Sequence, residues 1–434
     1  MRFLGQGARA ASLIGVMCAL AFGAVDAPAA TARQRPDLVP AAGVLFGSWV
    51  DFDRRWTNNH DAEAEVAAFE TQIGRRLAID HHYYAWTDRF PSGLEQWDIG
   101  NGRIPLISWK GTTLSDILDG SFDGMIRARA RAVRALHTPV FLRFAWEMNG
   151  RWEAWSGYRN GGADGGPSRY IRAWRHVHAI FDHQHATNAA WVWAPAHQDG
   201  PPAPWNHWTH YYPGDRWVDW VGIDAFNWGT STRWGHWASF RDLIEPVYRD
   251  YAGRKPIMIA ETGSAKEGGD KPWWFTYARR NIEHTLPYVR AVVYFNAMDH
   301  AYDTNWRATT TAVSGSAFRA WALDPYFNAQ PLTERRPVEG AFVWPRQVLD
   351  QARVAFTLSG PASVSIEIRT AGGKTVRHLL TDAPYPRDGS FAVPWDRADD
   401  AGVLVAPGWY VAVVTTQGGS STGSSESVCG FRTL

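Results

Sequence analysis

Two absences bound what this chain can be. It has 2 cysteines in 434 residues, and Cys18 lies in an N-terminal segment read below as a leader. The remaining thiol, Cys429, closes no intrachain disulfide, so the fold must rest on its apolar core rather than on covalent staples. Excess charge of one sign is also lacking. With 44 Lys and Arg against 43 Asp and Glu the formal charge is +1. That excludes the broad basic footprint by which proteins hold nucleic acid or an anionic bilayer. Long apolar runs are scarce as well. The run ASLIGVMCALAFGAV (11–25) follows Arg2 and Arg9 and precedes the small residues APA at 27–29. It is shorter than the ~20 residues a membrane span needs and has the layout of a signal peptide. Residues 1–30 are therefore expected to be removed, giving a secreted protein with no membrane insertion after cleavage.

Aromatic residues are what the chain has in abundance: 25 Trp, 15 Tyr and 20 Phe. Trp fills cores, but its flat face also lies against the apolar face of a sugar ring. Any one Trp is expected in the core; those at strand ends are the candidates for sugar contact.

Residues 40–323 carry eight short apolar runs: VLFGSWV (44–50), RLAIDHHYYAW (76–86), RIPLISW (103–109), PVFLRFAWEMNG (139–150), NAAWVWAP (188–195), VDWVGIDAFNW (218–228), KPIMIAETG (255–263) and VRAVVYFNA (289–297). Near-continuous apolar strands alternating with helices signal a parallel sheet covered on its outer face. SFDGMIRARARAVRAL (121–136) and PSRYIRAWRHVHAIFDH (167–183) read as amphipathic helices. Eight strand–helix units predict an α/β fold, a (β/α)8 TIM barrel. No glycine-rich phosphate turn follows the first strand, which speaks against a doubly wound nucleotide-binding sheet. Residues 324–340, with three prolines, read as a linker. From 341 to 434 short alternating strands divided by Gly, Pro and Asp turns predict a small all-β sandwich.

In such a barrel the chemistry lies at the C-terminal strand ends. The fourth run ends in Glu147 and Asn149, the seventh in Glu261, and the sixth in Asp224 and Asn227. The second supplies His81 and His82, the fifth His197, and the eighth Asn296 and Asp299. Trp86, Trp109, Trp155, Trp228 and Trp306 fall at or just after strand ends. Two facing carboxylates ringed by aromatics, in a neutral exported protein, form a carbohydrate-cleaving constellation. One carboxyl donates a proton to the leaving oxygen while the other attacks the anomeric carbon, and their surroundings push the two pKa values apart. Arg143 shares a strand face with Glu147, from which it can hold the nucleophile ionised. Asp224 is expected to support the site by hydrogen bonds to loop backbone. Such chemistry needs no cofactor. The run HVHAIFDHQH (176–185) lacks the i, i+4 pair of a helical zinc site, and NGGADGGPS (160–168) lacks the Lys-Ser/Thr of a phosphate loop. No metal site is expected. Without heptads or long amphipathic tails, a monomer is the expected state.

The motifs RFAWEMNGRW, PSRYIRAWRHV, VGIDAFNWG, IMIAETGS and YFNAMDH followed by NWR resemble glycoside hydrolase family 26, in that order across roughly residues 40–325. The resemblance implies a retaining enzyme acting on β-1,4-mannan, or on another β-linked polymer such as a β-glucan. It implies Glu147 as acid/base and Glu261 as nucleophile, with Trp228, Asn149, Trp152 and Trp306 in motifs that contact sugar. Two positions depart from the family pattern. Trp146 stands where mannanases of the family usually have His, and Phe226 where a Tyr usually bonds the nucleophile. The second loss leaves room for a glycan-binding protein that does not hydrolyse, unless another group supplies the hydroxyl. The run WDRADDAGVLVAPGWYVAVV (395–414) resembles the Ig-like domain of flagellar hook-assembly proteins. That resemblance implies a fold and no chemistry.

Overall fold

The computed structural model describes residues 38–40, 42–50, 59–329 and, apart from 345–346, 349–350, 359–360, 371–372, 387–388 and 418–423, residues 338–433. The expected signal peptide, residues 1–30, lies outside the described residues.

Eight parallel strands close into a barrel: β1 (Leu45–Val50), β2 (Ile79–Tyr84), β3 (Ile104–Trp109), β4 (Val140–Phe144), β5 (Ala189–Trp193), β6 (Trp220–Asn227), β7 (Ile257–Ser264) and β8 (Val289–Asn296), with β8 pairing back onto β1. Each falls within or overlaps one of the eight apolar runs. The runs are near-continuous because both faces of these strands are buried, the outer face under helices and the inner face in the barrel lumen. All five β4 residues and all six β3 residues are buried.

The helices are α1 (Asn59–Ile73), α2 (Gly93–Gly100), α3 (Leu114–Leu118), α4 (Asp123–Arg134), α5 (Gly166–His183), α6 (Phe240–Tyr251), α7 (Lys271–His284) and α8 (Ala312–Ala322). In α4 the buried stripe is Ile126, Ala130 and Val133, with Arg131 and Arg134 in the last turn, where a cation complements the helix dipole. The strand–helix alternation is less regular than expected. Two helices follow β3. Between β5 and β6 the described chain makes two short 3-10 turns, Pro204–Asn206 and Trp208–Tyr211, in place of an α-helix. Pro201, Pro202 and Pro204 explain this, since each removes a backbone donor and disfavours helical geometry in the residue before it.

Sheet register matters at two points. Between β6 and β7 the pairing shifts after Ile223, so that Asp224 lies opposite Glu261. Between β7 and β8 it shifts again between Ile259 and Thr262. Bulges of this kind bend a strand and re-aim its side chains. Here they fall at the two acidic residues of β6 and β7.

Part of the segment expected as a linker packs on the barrel. Asp324 caps a 3-10 turn, Pro325–Phe327, and Phe327 is fully buried against Phe46 and Trp321. Arg75 donates to the Phe327 carbonyl at 2.6 Å, and Arg279 pairs with Asp324 at 2.6 Å. Residues 324–329 therefore belong to the barrel. From residue 338 the described chain is β-strand and turn. A hairpin-like pair, β9 (Met298–Asp299) and β10 (Thr304–Asn305), precedes it at the barrel mouth. The C-terminal strands are β11 (Val338–Trp344), β12 (Gln347–Val348), β13 (Ala352–Leu358), β14 (Ala362–Thr370), β15 (Thr375–Tyr385), β16 (Gly389–Trp395), β17 (Gly408–Gln417) and β18 (Ser424–Thr433). They form a three-stranded sheet, β11-β13-β16, and a five-stranded sheet, β12-β18-β17-β14-β15. One apolar core joins them, with Val354 and Phe356 from one sheet and Ile366, Val414 and Phe431 from the other. Trp395 is buried in it, as expected for a core residue. Trp409, also expected in a core, is instead exposed on β17.

Candidate active site

The inward residues of β2, β3, β4, β6 and β7 build a polar network in the lumen. Arg143 on β4 is fully buried, and every bond it makes is to another lumen group. Its Nε donates to Ser108 Oγ on β3 at 2.8 Å, and its Nη1 to Asp224 Oδ1 on β6 at 2.9 Å. Its Nη2 donates to Glu261 Oε1 on β7. A guanidinium presents several donors in a rigid plane, so these bonds fix one orientation. Arg143 thus lies in the lumen against the carboxylates of Asp224 and Glu261. Asp224 supports the site differently from the expectation. Its carboxylate takes the Arg143 bond, and the loop after β5 is held by its backbone carbonyl instead, which accepts from the His197 N–H at 2.9 Å.

Tyr83, at the inner face of β2, donates its hydroxyl to the same Glu261 Oε1. Burial and the neighbouring Glu261 charge raise the Tyr83 pKa well above its ordinary value, so it stays a neutral donor. Phe226 sits half-buried among Phe295, Trp306 and Trp228 and has no hydroxyl to offer. The hydroxyl comes from strand 2. The residue in the other divergent position, Trp146, covers the Arg143 guanidinium at 4.6 Å and contacts the Tyr83 ring at 5.6 Å. Trp49 on β1 meets Tyr83 edge-on at 5.1 Å. The Trp146 indole thus packs against both groups that bond Glu261.

Glu147 lies just past the end of β4, half-buried, with a backbone φ of +52°. Ala145, two residues earlier, has φ +47°. Two non-glycine residues in the left-handed region cost of order 1 kcal/mol or more each, strain that concentrates where a side chain must be aimed. The Glu147 amide donates to the Ala194 carbonyl at 2.8 Å, and its carbonyl accepts from Gly150 at 2.9 Å, so the kink is pinned on both sides. Trp152 donates its indole N–H to Glu147 Oε2 at 2.7 Å while remaining 48% exposed. Burial and then the Glu261 charge push the Glu147 pKa up to about 8, against the opposing pull of the Trp152 bond. This gives a test with two signs. Followed by 13C NMR, the Glu147 midpoint is expected to fall in Glu261→Gln, which removes a negative neighbour. It is expected to rise in Trp152→Phe, which removes a donor to the charged form. A midpoint that stays put in both would break the coupling.

The other expected sugar contacts divide. Trp228 is half-buried at the end of β6, facing the mouth with Trp234 and Tyr302. Trp109 is fully buried and stacks on Trp86 at 4.6 Å, and its N–H donates to the Trp86 carbonyl at 3.0 Å. Neither offers a face to a ligand here, because both rings fill the space between strand ends and Phe122 and Phe144. Trp155 is buried under Trp146. Trp306 is buried too, its ring against Gly263 and Phe226. Asn149 is fully buried and spends its amide on protein: Nδ2 reaches Ala196 O and Asp199 Oδ1 at 2.9 Å, and Oδ1 accepts from the Ala196 N–H at 2.9 Å. It ties the loop after β4 to the loop after β5. His197 is half-buried and burial lowers its pKa to about 4, so it stays neutral.

The two strand-2 histidines point opposite ways. His81 faces the lumen and bonds Ser108 Oγ at 2.6 Å. His82 faces α2, where its Nε2 donates to Asp98 Oδ2 at 2.6 Å, with Asp80 Oδ2 3.8 Å away. Among the described residues, Asp80, His82 and Asp98 are the group whose ligand atoms come close enough to suggest a metal. Two ligands on a tetrahedral zinc at ~2.0 Å stand about 3.3 Å apart. The 2.6 Å contact is instead a hydrogen-bonded ion pair, and His82, raised to about 10 against its burial by Asp80 and Asp98, carries the cation. Among the histidines at 176–185, His176 on α5 bonds Asp123 on α4 at 2.7 Å.

Part of the barrel matches a known family. Residues 108–250 match the model of glycosyl hydrolase family 26. Endoglucanase H of Acetivibrio thermocellus is 29% identical over 389 residues, covering 81% of this chain and 41% of that protein. Mannan endo-1,4-beta-mannosidase A and B of Caldalkalibacillus mannanilyticus is 33% identical over 163 residues, 36% of this chain and 26% of that protein. The chain thus spans less than half the length of these relatives. Among solved structures, the catalytic domain of the Bacillus sp. JAMB-750 GH26 endo-beta-1,4-mannanase aligns with a TM-score of 0.51 at 17% identity. It covers 68% of this chain and 94% of that one, a likeness of fold.

Proposed function

We infer that this chain, whose barrel bears the family 26 match, is a glycoside hydrolase that cleaves a β-linked polysaccharide internally with retention of configuration. Glu261 is the nucleophile. Arg143 and Tyr83 hold its Oε1, leaving Oε2 to attack the anomeric carbon. As that bond forms, the glycosidic C–O bond breaks and the leaving oxygen takes the proton of Glu147. In the second step a water gives its proton to Glu147 and attacks the same carbon, releasing Glu261. The observation that carries this reading is the different setting of the two carboxyls. Glu147 is pushed up to about 8, which favours its acid form at neutral pH, while Glu261 accepts bonds from a guanidinium and a phenol.

β-1,4-Mannan is the first candidate substrate, in keeping with the mannosidase relative. The longer match to an endoglucanase favours β-glucan as the second. Reducing-end release from galactomannan, glucomannan, mixed-linkage glucan, β-1,3-glucan and xylan separates them. Cleavage of one names the sugar, and release from none contradicts the hydrolase reading for these polymers. A non-hydrolytic glycan-binding protein loses its main support with Tyr83, since the hydroxyl missing at Phe226 is supplied from β2. Accordingly Tyr83→Phe, which keeps the ring, is expected to lower kcat by about 10- to 100-fold, the scale of a hydrogen bond to a charged group. KM and thermal stability should change little. Wild-type kcat in this variant would remove Tyr83 from the mechanism. Export after cleavage of residues 1–30 and a monomeric state complete the proposal.

A further inference from the structure

Large aromatic rings are rarely left half in water without a reason, and contiguous exposed apolar patches mark binding sites. Trp234 is 53% exposed and Tyr302 52% exposed, and they flank Trp228 at the mouth of the barrel. Ring centroids lie 4.6 Å apart for Trp228–Trp234, 5.4 Å for Trp228–Tyr302 and 6.0 Å for Trp234–Tyr302, with interplanar angles of 60°, 86° and 89°. The three rings form a cradle rather than a stack. It is continuous with the catalytic floor: Trp228 meets Trp306 at 4.7 Å, and Trp306 lies against Gly263, two residues past Glu261.

The cradle is held in place by hydrogen bonds. Trp234 is carried by the loop after β6 and Tyr302 by the turn between β9 and β10. Thr304 Oγ1 donates to Ser231 Oγ at 3.0 Å across the two loops, and Ser231 Oγ donates to the Trp228 carbonyl at 2.7 Å. Asp299 Oδ1 accepts from the Ala301 and Tyr302 amides at 3.0 and 3.3 Å, and Asp303 is fixed at φ +52°. Such bonds order the rings before any ligand arrives, which lowers the entropic cost of binding.

We propose that Trp234 and Tyr302 form a sugar-binding subsite beyond Trp228, which seats the non-reducing, glycone portion of a polysaccharide chain. The proposal rests on the hydrolase reading above. The side follows from the barrel order. Glu147 on β4 protonates the leaving oxygen, so the aglycone departs on the β4 side, where Trp152 stands. In the closed strand order β8 lies opposite β4, and β6 and β8 flank β7, which carries Glu261, so the cradle lies on the nucleophile's side of the mouth and receives the sugars on the other side of the scissile bond. An aromatic cradle binds pyranose faces by area and CH–π contact, and acts on ground and transition states alike. It therefore serves KM more than kcat.

The test uses full-length protein with Trp234→Ala, Tyr302→Ala and the double variant. Each is assayed on the long polymer that wild type cleaves and on a short oligosaccharide of the same linkage. In the double variant the ratio of kcat/KM on polymer to that on the short substrate is expected to fall about tenfold or more, through KM. Trp234→Phe with Tyr302→Phe should restore much of it. An unchanged ratio overturns the subsite and leaves the hydrolase standing. Retention of the same polymers in affinity electrophoresis, measured in a Glu147→Ala background, decides the subsite even if no cleavage is seen. Loss of retention on removing the two rings supports it, whereas equal retention, or none in the parent, overturns it.

Discussion

Replacing Glu261 with alanine is expected to abolish turnover, lowering kcat by about 10^4-fold or more, the scale seen when a member of a covalent-catalysis unit is removed. The methyl group leaves a small space above Arg143 and Tyr83, which an exogenous anion fits. Azide should therefore restore glycosyl transfer. Because azide attacks where Glu261 would have attacked, and no second displacement follows, the rescued product is a glycosyl azide of inverted configuration. Arg143 keeps its bonds to Asp224 and Ser108 in this variant, so the fold should survive. Unchanged turnover in Glu261→Ala would remove the nucleophile assignment.

Glu147→Ala should lose the proton donor and leave the nucleophile in place. On polysaccharide, whose leaving oxygen is a poor leaving group, kcat is expected to fall by about 10^3- to 10^4-fold, the upper range of general acid catalysis. On an aryl glycoside with an acidic phenol the first step needs little protonation, so the loss there should be much smaller. The pH profile adds a second readout. Burial and the Glu261 charge push Glu147 up to about 8. The acid form is the active one, so wild-type kcat/KM should fall as pH rises through about 8. Because kcat/KM reports the free enzyme, that limb should vanish in Glu147→Ala. A limb that persists would assign it to another group.

Much of this architecture was legible in the chain. Strands buried on both faces cannot alternate, so eight apolar runs marked the barrel. A glutamate is costly to desolvate without a partner or a task, so Glu147 and Glu261 at the ends of two such runs stand out in the sequence. Tyr83 does not, because IDHHYY reads as a buried strand whose histidines look more reactive. Only the register shows that Tyr83 faces the lumen while His82 faces α2. Tryptophan fates were equally hidden. Trp109 and Trp228 both end strands, yet one packs against Trp86 and the other opens to the mouth. What separates them is the set of neighbours packed on each ring, Trp86 and Phe144 on Trp109 and the mouth residues Trp234 and Tyr302 on Trp228. The three prolines and lack of period at 324–340 suggest a linker, but Phe327 has a hydrophobic socket that local sequence cannot reveal.

The account stands or falls on two displacements at one carbon. The most direct measurement is 1H NMR of the wild-type reaction on its polysaccharide, recorded before mutarotation and resolving the anomeric proton of the first products. Two displacements at Glu261 with Glu147 as acid and base predict the β-anomer first, decaying to the equilibrium mixture. The α-anomer appearing first would mean a single displacement by water and would contradict the covalent role of Glu261.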